Sequence, residues 1–175
     1  IQAFKTYSEH KFSLMITGQQ GDVMKESIQC AKTIAWNILP NTIKKKIKNG
    51  WDKDIYGIHI HCPEASTPKD GPSAGGAITL SLISLLCNIK VLNNVAMTGE
   101  IDLNGEIHMI GGLDLKIDGG INAGITKFLV PRENEDDLLL IKKEKPYLFE
   151  TIDIVLIDTI NDIIKHALEK NTVFS

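Results

Sequence analysis

The sequence predicts one domain of mixed α/β (α+β) class over residues 1–175, with a mixed sheet and flanking helices. Short apolar segments with strand spacing alternate along the chain with longer segments of helical spacing, and Gly, Pro and Asn-Gly turn signals separate them. The length of 175 residues and the 43% hydrophobic content are sufficient for one well-buried core.

Composition and charge narrow the functional classes. The formal net charge of -3 argues against a nucleic-acid partner, and no apolar run is long enough to cross a bilayer. The three cysteines, Cys30, Cys62 and Cys87, are an odd number without paired spacing, which indicates a reduced, intracellular setting. Because the first residue is Ile1 and not Met, we expect the chain to be a fragment or a processed form of a longer protein.

The N-terminal part of the chain is predicted to contain two strands and a helix. The first strand spans Phe12–Thr17 and ends at glycines, and the second spans Ile55–Cys62. Asp22 can cap a helix that ends before Pro40, and the lysine-rich segment to Lys53 is predicted to be a surface connection. The apolar positions of this helix follow a 4,3,4,3 spacing: Met24, Ile28, Ala31, Ala35 and Ile38.

The C-terminal part begins with a predicted hairpin. Its strands are Val95–Glu100 and Glu106–Ile110, because the Asn104-Gly105 pair between them is the strongest short hairpin signal. The elements that follow alternate: a helix over Leu113–Ala123, a strand over Lys127–Val130, a helix capped by Asn134, a strand over Thr151–Ile157 and a helix over Thr159–Lys170.

The stretch Pro68–Gly76 carries the strongest candidate for catalysis. Its prolines and glycines predict a stiff loop, and the apolar run Ala77–Cys87 behind it is predicted to be a buried helix. Ser73 follows Pro72, a favoured helix-starting residue, and is therefore expected in the first helical turn. In the first turn, a serine hydroxyl lies beside unpaired backbone N–H groups and the positive end of the helix dipole. This environment suits a nucleophile that carries out acyl transfer. The alternative is that Ser73 only caps the helix.

A serine nucleophile needs a base, for which the sequence offers histidines and lysines, and Lys116 is the lysine candidate. It follows the Gly111-Gly112 break and lies between Leu115 and Ile117, which predicts partial burial. A desolvated lysine loses its proton more readily and can then act as a general base. The alternative is an ordinary surface lysine with an apolar stem.

Other chemistries find less support in the sequence. His59 and His61 share a strand face, but a zinc site needs three or four ligands and no third group stands at ligand spacing. Cys62 and His61 are strand neighbours that face opposite ways, which disfavours a cysteine nucleophile. Phosphate-binding glycine patterns are absent. We therefore expect neither a metal nor a cofactor in this domain.

Six sequence blocks together make the chain similar to the proteolytic domain of Lon, the ATP-dependent AAA+ protease, over nearly its whole length. The residue before Ser73, Pro72, resembles the bacterial and mitochondrial type of the family. The blocks occur in the family's order: Gly18–Ser27, His59–His61, Pro68–Gly75, Ala96–Glu100, Ile110–Leu113 and Pro131–Asn134.

The resemblance implies a serine endopeptidase with Ser73 as nucleophile and Lys116 as general base. It implies that the Thr98 hydroxyl helps to hold the lysine amine. Asp70 is expected either to gate the site or to cap the local turn, and His61 is a further supporting candidate.

The resemblance also implies partners outside this chain. Unfolded polypeptides would be delivered by an ATPase domain that holds ATP and Mg, and subunits would form a hexameric ring in the cytoplasm or in a mitochondrial or other organellar matrix. Two other classes remain open: a catalytically idle ring or scaffold domain, and a small-molecule phosphotransferase that uses the Ser73 loop.

Departures from the family's pattern lie close to the proposed base. Asp114-Leu115 stands where the family usually has Lys-Glu, and Gly119-Gly120 stands where it has two alanines. We therefore expect a less rigid helix around Lys116, and we expect Asp114 to favour the charged lysine if the two are close. The family's opening strand is expected to be missing.

Overall fold

The structure, a computed structural model, describes residues 1–51, 56–170 and 172–174. Helices and strands are mixed throughout, which confirms the predicted α/β class. Within these residues no helix combines the length and the apolar character needed to cross a bilayer. The strands are β1 Gln2–Tyr7, β2 Leu14–Thr17, β3 Tyr56–His61, β4 Val95–Met97, β5 Glu100–Ile101, β6 Ile107–His108, β7 Lys127–Pro131 and β8 Asp153–Ile157. The helices are α1 Asp22–Ile38, α2 Asn41–Trp51, α3 Gly75–Cys87, α4 Leu113–Asn122, α5 Glu135–Glu144 and α6 Ile160–Ala167, with 3-10 turns at Arg132–Asn134 and Pro146–Phe149.

The described strands form two small sheets and a separate hairpin, in place of one mixed sheet. The first sheet has the order β1-β3-β2, with β1 antiparallel and β2 parallel to β3. The second sheet has the order β4-β7-β8 and is parallel throughout. Strands β5 and β6 pair with each other, around the predicted Asn104-Gly105 turn. The long strand expected over Val95–Glu100 is broken at Thr98 and Gly99.

Two elements near the N-terminus differ from the prediction. Strand β1 was not predicted. The lysine-rich segment is helix α2 and not a connection, because Ile43, Ile47 and Trp51 recur every fourth residue and place one apolar face inward. Ile55 and Lys53 lie outside the described residues.

The buried side chains form two groups, one on each face of strand β7. Helices α1, α3 and α6 bury Ile28, Ile83 and Ile163 completely in the larger group, which also includes Leu129. Phe128 and Val130 point the other way, into the smaller group beneath α4 and α5. Because successive strand residues face opposite sides, β7 is covered on both faces, as a central parallel strand requires.

The two glycines of α4, Gly119 and Gly120, test the packing of this helix on Phe128, because only Gly120 faces the Phe128 ring. A methyl group added at Gly119 would meet no atom within 4 Å, whereas one added at Gly120 would come within 2.4 Å of the buried Phe128 ring. We predict that Gly119→Ala raises the free energy of unfolding by about 0.5–1 kcal/mol, because alanine loses less conformational entropy in a helix. Gly120→Ala should lower it by about 1–3 kcal/mol through overpacking.

Urea unfolding of the two variants beside the unchanged chain measures both effects. The substitutions are chemically identical and adjacent, so each is the control for the other. A change of the same sign in both variants would contradict the packing of α4 on Phe128.

Candidate active site

Ser73 lies in a turn two residues before helix α3 begins. The position of Pro72 had predicted that Ser73 would lie in the first turn of the helix. The Gly75 N–H donates to the Pro72 carbonyl oxygen at 3.0 Å, so the chain completes a tight turn before the helix begins. Ala74 is the N-cap residue, and no side chain caps this helix. The alternative in which the Ser73 hydroxyl serves as a cap is therefore wrong.

The backbone of Ser73 is held by the two residues that follow strand β4. Its carbonyl oxygen accepts from the Gly99 N–H at 2.9 Å and from the Thr98 hydroxyl at 3.2 Å. Among the described residues, the Thr98 hydroxyl donates to the serine backbone, whereas the contact with the lysine amine that the resemblance implies stays a prediction. A side chain at Gly99, where φ is +151°, would overlap the Ile107 side chain, which favours glycine at this position.

Lys116 approaches Ser73 from helix α4. Its Nζ donates to the Ser73 Oγ at 3.3 Å. The partial burial predicted for Lys116 is wrong: the residue is exposed, and the Leu115 side chain is 72% exposed. Helix α4 turns Leu113 and Ile117 inward, four residues apart, which leaves the two positions just before Ile117 at the surface.

Asp114, which was expected to favour the charged form of Lys116, pairs with a different lysine. Its Oδ2 accepts from the Lys145 Nζ at 2.9 Å. This hydrogen bond is the main reason why the pKa of Asp114 lies below its ordinary value. The pair joins the beginning of α4 to the residue that follows α5.

Asp70 holds the Ser73 loop on the beginning of helix α1. Its Oδ1 accepts from the Met24 N–H at 2.9 Å, which satisfies one of the unpaired donors of that helix. The Met24 and Gly71 N–H groups together lower the pKa of Asp70 below its ordinary value. Any side chain at Gly21 would overlap the Asp70 carboxylate. Asp70 therefore caps a helix far away in sequence, in addition to its interaction with the Gly71 N–H of the local turn.

His59 and His61 lie on one face of β3, as predicted, with the Thr17 hydroxyl between them. The Thr17 oxygen is 2.8 Å from the His59 Nε2 and 2.7 Å from the His61 Nδ1. In the part of the chain that the structure describes, no hydrogen bond joins His61 to Ser73 or Lys116. Cys62 is buried, and burial raises the pKa of its thiol, so it is a poor nucleophile.

A cluster at the β5–β6 hairpin was missed in the sequence analysis. Asp102, Glu106 and His108 place potential metal-ligand atoms within 4.8 Å of one another. Hydrogen bonds of the turn account for much of this arrangement, since the Asp102 Oδ1 accepts from the N–H groups of Asn104 and Glu106 at 2.9 Å each. His108 also lies 3.3 Å from the Glu133 Oε1, which is the main reason why its pKa is raised.

The described site thus combines a serine hydroxyl in a turn before a helix with a lysine amine at hydrogen-bonding distance. A family model described as the Lon protease (S16) C-terminal proteolytic domain matches residues 2–170. The chain belongs to this family. The family assignment agrees with the sequence blocks around Ser73 and the Gly111-Gly112 pair.

Several Lon proteases are similar to this chain over most of its length. A Lon protease homolog of Acanthamoeba polyphaga mimivirus is 43% identical over 99% of the chain and 17% of its own length. The Lon protease of Clostridium beijerinckii is 44% identical over 89% of the chain and 18% of its own length. The Lon protease of Rickettsia typhi is 42% identical over 90% of the chain and 19% of its own length. The chain therefore spans less than a fifth of these relatives.

The capping role of Asp70 predicts a specific dependence of stability on pH. Because the pKa of Asp70 in the fold lies below its ordinary value of 3.8, the carboxylate stabilises the fold above that value, and the contribution disappears as pH falls through the lowered pKa. We predict that Asp70→Asn reduces the free energy of unfolding at pH 5 to 8. The difference from the unchanged chain should shrink below about pH 4.

Urea unfolding over this pH range measures the effect. Asp118→Asn, which removes a charge from an exposed position of α4, is the matched control and should change stability little at any pH. A stability loss for Asp70→Asn that is constant from pH 3 to pH 8 would contradict the role of the charged carboxylate.

Proposed function

We propose that this domain is a serine endopeptidase in which Ser73 is the nucleophile and Lys116 is the general base. The observation that supports the assignment best is the distance of 3.3 Å from the Lys116 Nζ to the Ser73 Oγ. Membership of the Lon proteolytic domain family supports peptide-bond hydrolysis as the reaction.

The proposed reaction uses the lysine amine in its neutral form. Lys116 accepts the Ser73 proton while the Oγ attacks the carbonyl carbon of a peptide bond. The protonated amine then gives this proton to the leaving nitrogen, and an acyl-enzyme on Ser73 remains. Water hydrolyses the ester in a second step with Lys116 again as the base, which restores both side chains.

Backbone groups next to the nucleophile suit the developing oxyanion. Within the described residues, neither the Ser73 N–H nor the Ala74 N–H donates a hydrogen bond. Both lie just before α3, where the helix dipole favours negative charge. In comparable hydrolases one such donor contributes roughly 3–4 kcal/mol to transition-state stabilisation.

The exposure of Lys116 favours a second candidate function, in which the domain is catalytically idle in the state seen here. Water around the amine removes the desolvation that a lysine base requires. We infer that a neighbouring subunit or a bound polypeptide covers the site before catalysis. The hexameric ring, the supply of unfolded polypeptides by an ATPase domain that binds ATP and Mg, and a location inside the cell belong to this proposal for the longer protein.

Replacement of the nucleophile should abolish hydrolysis and leave the fold intact. We predict that Ser73→Ala lowers cleavage of an unstructured fluorogenic peptide by about 1,000-fold or more, because the acyl-enzyme cannot form. The matched control is Ser81→Ala, since the Ser81 hydroxyl donates within its own helix to the Ala77 carbonyl oxygen. Circular dichroism checks the fold of both. Turnover by Ser73→Ala at the level of the control would refute the nucleophile.

Replacement of the base by arginine separates charge from proton transfer. Arginine keeps the positive charge but does not lose its proton, so Lys116→Arg should be as inactive as Lys116→Ala. Lys142→Arg, at an exposed position of α5, is the control and should retain activity. Substantial peptide cleavage by Lys116→Arg would exclude Lys116 as the base.

A further inference from the structure

We propose that Glu133 and Asn134 are positioning residues for Lys116. They bind the backbone of the segment that leads into helix α4 and thereby fix where the lysine amine lies relative to Ser73. This inference rests on the proposed function of Ser73 and Lys116.

Asn134 makes three hydrogen bonds from a fully buried position. Its Oδ1 accepts from the Ile110 N–H at 3.0 Å, and its Nδ2 donates to the Ile110 carbonyl oxygen at 2.9 Å. The same Nδ2 donates to the Asp137 Oδ2 at 2.7 Å. One side chain thus satisfies both backbone groups of Ile110, in the way that a neighbouring strand would.

Glu133 holds the residue before Ile110. Its Oε2 accepts from the Met109 N–H at 2.8 Å, and its Oε1 lies 3.3 Å from the His108 Nδ1. Three consecutive residues at the end of the β5–β6 hairpin are therefore bound by two consecutive residues that follow strand β7.

Few other described contacts fix the position of the backbone between Ile110 and Lys116. Gly111 and Gly112 are exposed, and a side chain built on either glycine would meet no atom within 4 Å. Helix α4 starts directly after Gly112, whose carbonyl oxygen accepts from the Lys116 N–H at 3.2 Å. The beginning of α4 is therefore located by the bonds on residues 108–110, by the burial of Leu113, and by the Asp114–Lys145 pair.

The arrangement has a counterpart on the serine side. Gly99 follows β4 and binds the Ser73 carbonyl oxygen, whereas Asn134 follows β7 and binds Ile110. Strands β4 and β7 are parallel neighbours, so their ends lie side by side. Two adjacent strand ends thus hold the segments that carry the nucleophile and the base.

A purely structural role and a positioning role differ in one measurable respect. If Asn134 acts through Lys116, its replacement should have no effect on the chemistry once the lysine amine is absent. If it only stabilises the fold, or acts on Ser73, its effect should be the same with and without Lys116.

The double variant N134D/D137N is the sharpest change that the site allows. It conserves net charge and the contact between the two side chains, but it places a carboxylate oxygen against the Ile110 carbonyl oxygen in place of a donor. Asp137→Asn alone is the matched control. Glu133→Ala is the second variant, because Glu133 is exposed and its loss leaves the core intact.

The readout is the rate at which a fluorophosphonate labels Ser73, followed by mass spectrometry in chains with Lys116 and in chains with Lys116→Ala. With Lys116 present, N134D/D137N should label about 10- to 100-fold more slowly than Asp137→Asn, because small misplacements of a catalytic group are costly. Glu133→Ala should label about 3- to 10-fold more slowly than the unchanged chain. In the Lys116→Ala background each ratio should fall to within about 2-fold.

Amide hydrogen exchange gives a readout that does not depend on catalysis. Exchange at Met109 and Ile110 should accelerate in N134D/D137N relative to Asp137→Asn, while exchange in the core of α3 should not change. Equal slowing of labelling with and without Lys116 would overturn this inference. So would the absence of slowing in both variants, if labelling of the unchanged chain depends on Lys116. Neither result would contradict the proposed function. Labelling of Ser73 that is independent of Lys116 in the unchanged chain would overturn the proposed function and this inference with it.

Discussion

The parallel pairing of β4 with β7 is the interaction on which the site depends. The pairs Val95–Lys127, Ala96–Phe128 and Met97–Leu129 bring the two carboxyl ends together. Beyond these ends, backbone and side-chain hydrogen bonds reach the Ser73 turn on one side and the segment before α4 on the other. These bonds hold the two backbone segments that carry Ser73 and Lys116, whose Oγ and Nζ lie 3.3 Å apart. This agrees with the general location of sites at the carboxyl ends of parallel strands.

The Ser73 hydroxyl and the Lys116 amine lie at hydrogen-bonding distance, and Lys116 is exposed to solvent. Among the described residues, the N–H groups of Ser73 and Ala74 donate no hydrogen bond, and Asp114 is bound by Lys145. The proposed role of Lys116 as base requires that water be removed from its exposed amine before catalysis. In the proposed mechanism a neighbouring subunit or a bound polypeptide covers the amine, and the chain spans less than a fifth of the mimivirus and Clostridium beijerinckii relatives.

The sequence predicted those features that depend on local pattern. Helix α1 followed from its apolar spacing, and the β5–β6 hairpin followed from Asn104-Gly105. The errors concern features set by distant residues or by a weak pattern. Asp70 caps a helix whose bonded residue lies 46 positions away, and the Ser73 turn is fixed by Gly99. The burial of Lys116 was inferred from its neighbours Leu115 and Ile117, but helix α4 turns Ile117 inward and leaves Leu115 at the surface.

The most direct test of this account is a crystal structure of the chain with a peptidyl phosphonate or boronate bound covalently to Ser73. In this complex the oxygen that mimics the oxyanion should accept from the Ser73 or Ala74 N–H. The Lys116 Nζ should remain within hydrogen-bonding reach of the Ser73 Oγ, from which it lies 3.3 Å away in the free chain. An adduct on another residue, or a lysine amine more than about 5 Å from the Ser73 Oγ in the complex, would contradict it.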